Sequence, residues 1–197
     1  MRLFLAVDLP LPMLQQVADG VGKLKKSVGR GLRFRWLAAQ NIHITLKFLG
    51  EVEKSQLDQL SSCCAAIEWS GFVLKLGESG YFPSVNRPRV FWQGFSAGID
   101  EMRGLLAQVE CCAAGIGVLK DSRPYTPHLT LARIKPSKDG NAVAAFRQIQ
   151  KKSNDLLPVG SSFLVTVFSL YQSQLTPVGA VYTRLDTFSA RIAEAVD

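Results

Sequence analysis

The chain contains two histidines, and both sit in the same local setting: His43-Ile44-Thr45-Leu46 and His128-Leu129-Thr130-Leu131. On a strand, residues i and i+2 share a face, so each His lies beside its own Thr while Ile44, Leu46, Leu129 and Leu131 point into a core. Imidazole, with an ordinary pKa of ~6.5, is the side chain that both takes and gives a proton near neutrality. Two imidazoles facing one phosphorus atom suit cleavage of a phosphodiester by water. One removes the proton of the nucleophile and the other protonates the departing oxygen. Thr45, Thr130 and a nearby cation would donate hydrogen bonds to the non-bridging oxygens as charge builds there. Lys47 shares a face with His43 and Thr45 in a regular strand. Arg133, three residues after Thr130, is turned away by strict alternation and faces the phosphate only where the strand ends or bulges. Spacing alone permits either histidine to be the acid.

The elements that must hold these residues form a repeat. Leu3 to Val7 reads as a first strand, and Leu14, Val17, Val21, Leu24 and Val28 recur at helical spacing after Pro10 and Pro12. Ile42 to Phe48 alternates as a strand does, and Leu57, Leu60, Cys64 and Ile67 mark a second helix. Two strands come next, Phe72–Leu76 and Arg89–Trp92, without a helix between them. The order then recurs: a helix through Ile99, Met102, Leu106, Val109 and Ala113, the strand His128–Arg133, a helix through Val143, Phe146 and Ile149, and strands Phe163–Tyr171 and Ala180–Leu185. The differences 99 − 14 and 128 − 43 both give 85, and 143 − 57 gives 86. Adjacent strands without intervening helices argue against a doubly wound parallel sheet. The expectation is an α+β fold of two pseudo-symmetric lobes, each a mainly antiparallel sheet with helices on its outer face. The groove between them holds the site, and residues 1–197 form a single two-lobed domain.

Composition narrows the alternatives. Of 197 residues, 47% are hydrophobic and 20% charged, which fits a packed protein rather than a disordered one. No apolar run approaches the ~20 residues of a membrane span, and Leu3 to Val7 is too short for a secretory leader. The 23 Lys+Arg against 16 Asp+Glu leave a net charge of +7, which favours anionic partners. Cys63-Cys64 and Cys111-Cys112 are adjacent pairs, poorly suited to bonding within a pair and lacking the two-residue gap of a zinc knuckle. They read as reduced thiols packed on helices, consistent with a cytoplasmic address, and the repeated Cys-Cys-Ala-Ala falls outside the register of the repeat. No metal site and no cofactor are expected, and there is no phosphate-binding glycine loop. Lys138-Asp139-Gly140 lacks the intervening residue of the Lys-x-Asp-Gly motif of nucleotidyl-transfer ligases and reads as a turn before a helix.

The sequence resembles the 2H phosphoesterase superfamily and, within it, the RNA 2′,3′-cyclic phosphodiesterases historically called 2′-5′ RNA ligases. The likeness runs from Arg2-Leu3-Phe4-Leu5-Ala6-Val7-Asp8-Leu9-Pro10 through Asn41 to Gly50, Pro88 to Trp92 and Pro124 to Arg133, and ends in Leu170 to Leu175 and Gly179 to Tyr182. It implies metal-independent hydrolysis of an RNA 2′,3′-cyclic phosphate to a 2′-phosphomonoester, with reversible 2′-5′ ligation as a companion reaction. His43 would be the proton donor to the 3′ oxygen, His128 the base, Thr45 and Thr130 the holders of phosphate oxygens, and Arg133 a phosphate contact. Tyr125 either lines the groove or packs before the strand. The partner implied is RNA with cyclic phosphate ends; no membrane and no obligate protein partner are inferred. Two other readings use the same groove: a binding module for RNA or nucleotides without turnover, and a phosphodiesterase for another cyclic or 2′-5′ nucleotide.

Overall fold

The computed structural model describes residues 1–28, 32–135, 142–177 and 179–191. Its strands are β1 (Arg2–Val7), β2 (Phe34–Trp36), β3 (Ile44–Glu51), β4 (Phe72–Phe82), β5 (Val90–Ala97), β6 (Leu129–Ile134), β7 (Ser162–Val165), β8 (Val167–Thr176) and β9 (Gly179–Ser189). The helices are α1 (Leu11–Ser27), α2 (Lys54–Ala65), α3 (Ile99–Gly115) and α4 (Ala142–Leu156). Lys138-Asp139-Gly140 lies outside the described residues.

The local sequence explains where these elements begin. Pro12 occupies the first turn of α1, where its missing N–H costs nothing, and Lys25 and Lys26 complement the dipole at the other end. Glu53 and Gln56 form a reciprocal capping box at the start of α2. Helix α3 starts from Gly98, whose φ of +81° and whose fit against the Val73 carbonyl exclude a side chain. No described helix is long and apolar enough to cross a membrane.

The sheet order is β7-β4-β5-β6-β3-β1-β8-β9, with β2 beside β6, and the named strands all pair antiparallel. The order divides at its centre into two four-stranded halves. β6-β5-β4-β7 is one half-sheet and β3-β1-β8-β9 the other, and they meet at the Ile44–Leu129 pair. The expected α+β fold of two antiparallel lobes is therefore what forms. The lobes are not the two sequence repeats, however. β4 and β5 from the first repeat join β6 and β7 from the second, while β8 and β9 from the second join β1 and β3 from the first part of the chain. The stretch expected as one strand from Phe163 to Tyr171 is broken at Thr166, and its parts β7 and β8 belong to opposite halves. Helices cross as well: α1 packs on α4, and α3 packs on α2 and β3.

The core lies between the sheet and these helices and includes the expected Ile44, Leu46, Leu129 and Leu131, all buried. A smaller apolar group, Phe4, Ala6 and Tyr171 with Tyr182 against it, lies apart from that core. The cysteine reading needs correction. Cys63 on α2 is bonded to Cys112 on α3, leaving Cys64 buried and Cys111 exposed as free thiols. Adjacent cysteines indeed do not pair with each other, but helix packing brings one of each pair together, so thiol state no longer supports a cytoplasmic address.

Candidate active site

The seam between the half-sheets determines which side chains meet. With Ile44 opposite Leu129 in an antiparallel pair, continuing the register by one residue sets His43 opposite Thr130 and Thr45 opposite His128. Each histidine directly precedes its strand, and the two are diagonal neighbours across the seam, a relation that separates Cα atoms by ~7–8 Å. Both rings and both hydroxyl residues are half-buried. The structure thus brings His43, Thr45, His128 and Thr130 together.

A β-bulge repeated on both inner strands decides where the residues beyond each motif point. On β3, Ala6 pairs with Thr45 and Leu5 with Lys47, so Leu46 has no partner. On β6, Trp92 pairs with Thr130 and Phe91 with Ala132, so Leu131 has none. The extra residue reverses the alternation beyond it. Lys47 consequently leaves the cleft face, contrary to the regular-strand expectation. It is buried on the helix side, where its Nζ donates to Glu110 Oε1 and Oε2 at 3.0 and 2.9 Å and to the Leu119 carbonyl at 2.7 Å. The same bulge turns Arg133 back to the face of Thr130, because Arg133 pairs with Val90 and Thr130 with Trp92, two residues apart on one strand. The parity objection to Arg133 is thereby removed, and its side chain is exposed. Tyr125 is partly buried against the main core, and its hydroxyl donates to the Thr45 carbonyl at 3.0 Å.

Each imidazole is held by aromatic rings and a backbone carbonyl. Phe4 stacks on His43 at 4.9 Å, and Tyr182 meets it edge-on at 5.4 Å. Phe82 and Trp92 meet His128 edge-on at 4.9 and 6.3 Å. Trp92 has room because its ring lies over Gly80, where any Cβ would overlap the indole. His128 Nδ1 is 2.7 Å from the Thr126 carbonyl, which can only accept, so Nδ1 carries the hydrogen and neutral Nε2 presents a lone pair. His43 Nε2 lies 3.1 Å from Thr45 Oγ1, and the Asn41 backbone engages this ring as Thr126 engages the other. Burial lowers the pKa of His43 to about 4, opposed by the Asn41 backbone and by Asp8 and assisted by the charge of His128. Burial lowers His128 too, opposed by the Thr126 backbone.

Sequence reasoning missed the polar group beside His43. The Tyr171 hydroxyl donates to both Asp8 carboxylate oxygens at 2.7 Å, Arg184 Nε donates to that hydroxyl at 3.1 Å, and Arg184 Nη2 donates to Asp8 at 3.2 Å. With Phe4, His43 and Tyr182 these residues line a cavity of about 270 Å³. A carboxylate directly after the apolar run of β1 was the available signal.

This antiparallel α+β fold is that of solved phosphoesterases. Escherichia coli LigT crystallised with 3′-AMP aligns with a TM-score of 0.74 at 29% identity, over 96% of this chain and 97% of that one. Residues 11–92 match the family described as LigT like Phosphoesterase. The RNA 2′,3′-cyclic phosphodiesterase of Aeropyrum pernix is 32% identical over 84% of this chain and 92% of its own length. The enzyme of that name from Escherichia coli is 31% identical over 93% of each chain. The chain belongs to the LigT-like phosphoesterase family of the 2H superfamily.

Proposed function

We propose that this protein hydrolyses RNA 2′,3′-cyclic phosphate ends to 2′-phosphomonoesters, using His128 as base and His43 as acid. The observation that carries the reading is the seam, where two His-x-Thr motifs face each other diagonally across one β-pair. The names of the relatives supply the substrate class. His128 Nε2, bare because Nδ1–H is engaged by Thr126, takes a proton from water as its oxygen attacks phosphorus. The bond from phosphorus to O3′ breaks, and His43 Nε2–H delivers its proton to O3′. The 2′ bond remains, and the proton on His128 returns to His43 through solvent. Thr45, Thr130 and Arg133 donate to the non-bridging oxygens as negative charge grows. Tyr125 acts by fixing the Thr45 backbone. Asp8 is the carboxylate whose charge favours a proton on His43, against the larger lowering by burial, and among the described residues no carboxylate acts so on His128. The division of roles itself is carried over from the family resemblance.

A 5′-hydroxyl taking the place of water in the same step yields a 2′-5′ linkage. The scheme uses no metal and no obligate partner, and RNA as substrate is the ground on which we assign a cytoplasmic address. The deciding assay incubates RNA bearing a 2′,3′-cyclic end in excess EDTA and locates the product phosphate. A 2′-monoester at full rate is expected. His43→Ala and His128→Ala should each lower kcat by ~10²–10⁴. Undiminished turnover by either variant, a 3′-phosphate product, or loss of activity in EDTA would overturn the scheme.

A further inference from the structure

Arg35 stands directly opposite Arg133 on the β2–β6 pair, and both side chains are exposed. Residues directly opposite share a face of the sheet, so Arg35 lies on the face that also carries Thr130. The neighbours of Arg35 hold it there. Phe34 and Trp36 stack on each other at 5.1 Å and turn to the core against Phe91, which leaves Arg35 on the opposite face. Two like charges facing each other on adjacent strands are destabilising. Among the described residues neither guanidinium has an ion-pair partner. An arrangement of this kind is relieved by anions supplied from outside.

The position of the pair indicates which anions. Along β6 the order His128, Thr130, Arg133 leads from the base, past the point opposite His43, to the far side of the acid. The Arg35 Nη2 atom approaches Gly179 in the β8–β9 turn, at 3.4 Å from the place a Cβ would occupy. Asn41 Nδ2 donates to the Ala180 carbonyl at 3.0 Å, tying that turn to the segment that carries His43. Arg35 therefore bridges the end of the cleft beyond His43, from one half-sheet to the other. The leaving O3′ stays on its ribose, so in-line attack from the His128 side puts the nucleoside at this end. One cation there serves the reacting phosphate, and the next anion along an RNA chain is the phosphodiester on the 5′ side of that same nucleoside.

We infer that Arg35 is a specificity-determining residue that binds this upstream phosphodiester, so that a cyclic phosphate at the end of a chain is favoured over one on a lone nucleoside. The inference rests on the cyclic phosphodiesterase reading above. Its test compares a nucleoside 2′,3′-cyclic phosphate with a trinucleotide ending in the same group, for wild type, Arg35→Gln and Arg35→Lys, over a series of salt concentrations. Wild type should prefer the trinucleotide. Arg35→Gln should cut that preference about tenfold, through KM rather than kcat, the loss expected for one charge-assisted phosphate contact. It should also lower the log–log salt slope for the trinucleotide by ~0.7, the share of one phosphate on a single strand. Arg35→Lys, which keeps the charge, should retain most of the slope, and Arg35→Met takes the place of the Gln variant if that does not fold. Equal losses on both substrates, an unchanged preference, or no preference in wild type would overturn the inference. Wild type inactive on both substrates would instead overturn the catalytic reading beneath it.

Discussion

At the residue scale, the two imidazoles carry a cost that their chemistry turns to use. Burial under aromatic rings lowers both pKa values, His43 to about 4. In the free protein at neutral pH both rings are therefore neutral, and His43, the acid of the proposed scheme, is without its proton. A bound phosphate anion has the opposite influence, because negative charge favours the protonated ring. These two influences set the sign of the pH dependence. The profile of kcat/KM reports the free protein and should peak below the ordinary histidine value, whereas that of kcat reports the complex and should peak at higher pH. Steady-state kinetics from pH 4 to 9 on one cyclic nucleotide would measure both. Coincident profiles, or a kcat/KM optimum above pH 7, would mean that burial does not govern these groups.

At the scale of elements, the feature that was not legible is the duplicated bulge. Apolar alternation in Ile44-Thr45-Leu46 and Leu129-Thr130-Leu131 correctly identified the core face, and all four aliphatic residues are buried. Period-two counting carried further put Lys47 on the cleft face, which it leaves, and kept Arg133 there only on condition of a bulge, which the sheet supplies. A bulge inserts one residue without changing composition, so the run of letters carries no trace of it. Its energetic consequence is large at Lys47, whose side chain is 6% exposed beside a 10% exposed Glu110. Breaking a buried ion pair from one side strands the other charge, at a cost of ~3–5 kcal/mol. Lys47→Met should accordingly lower unfolding stability by that order, and Lys47→Met with Glu110→Met should recover much of it. Urea melts of the single and double variants decide the matter. A single variant as stable as wild type, with activity lost, would return Lys47 to the phosphate.

At the scale of the whole molecule, the order of elements was readable because amphipathic periodicity depends on local sequence. The partner each strand takes was not, because pairing is decided by which edges are free once the chain has folded back on itself. The exchange of β4 for β8 is the clearest instance. Residues 1–86 contain β1, β2, β3 and β4, yet β4 pairs with β5 and β7, both from later in the chain, while β1 needs β8 beside it. The Cys63–Cys112 bond likewise links the two repeats. A repeat that folded on itself would give two halves that stand alone, whereas interleaved halves leave each fragment with unpaired edges and half a core. Cutting the chain between Asn86 and Arg87, in the turn between β4 and β5, should yield two fragments that each lack a cooperative thermal transition. Mixed, they should regain one transition, along with the signal of the joined sheet in circular dichroism and turnover of a cyclic nucleotide. A cooperatively folding 1–86 fragment would show that β1 to β4 can close a sheet without β5 to β9, and the seam that brings His43 to His128 would then be a docking of two independent units rather than a product of their exchange.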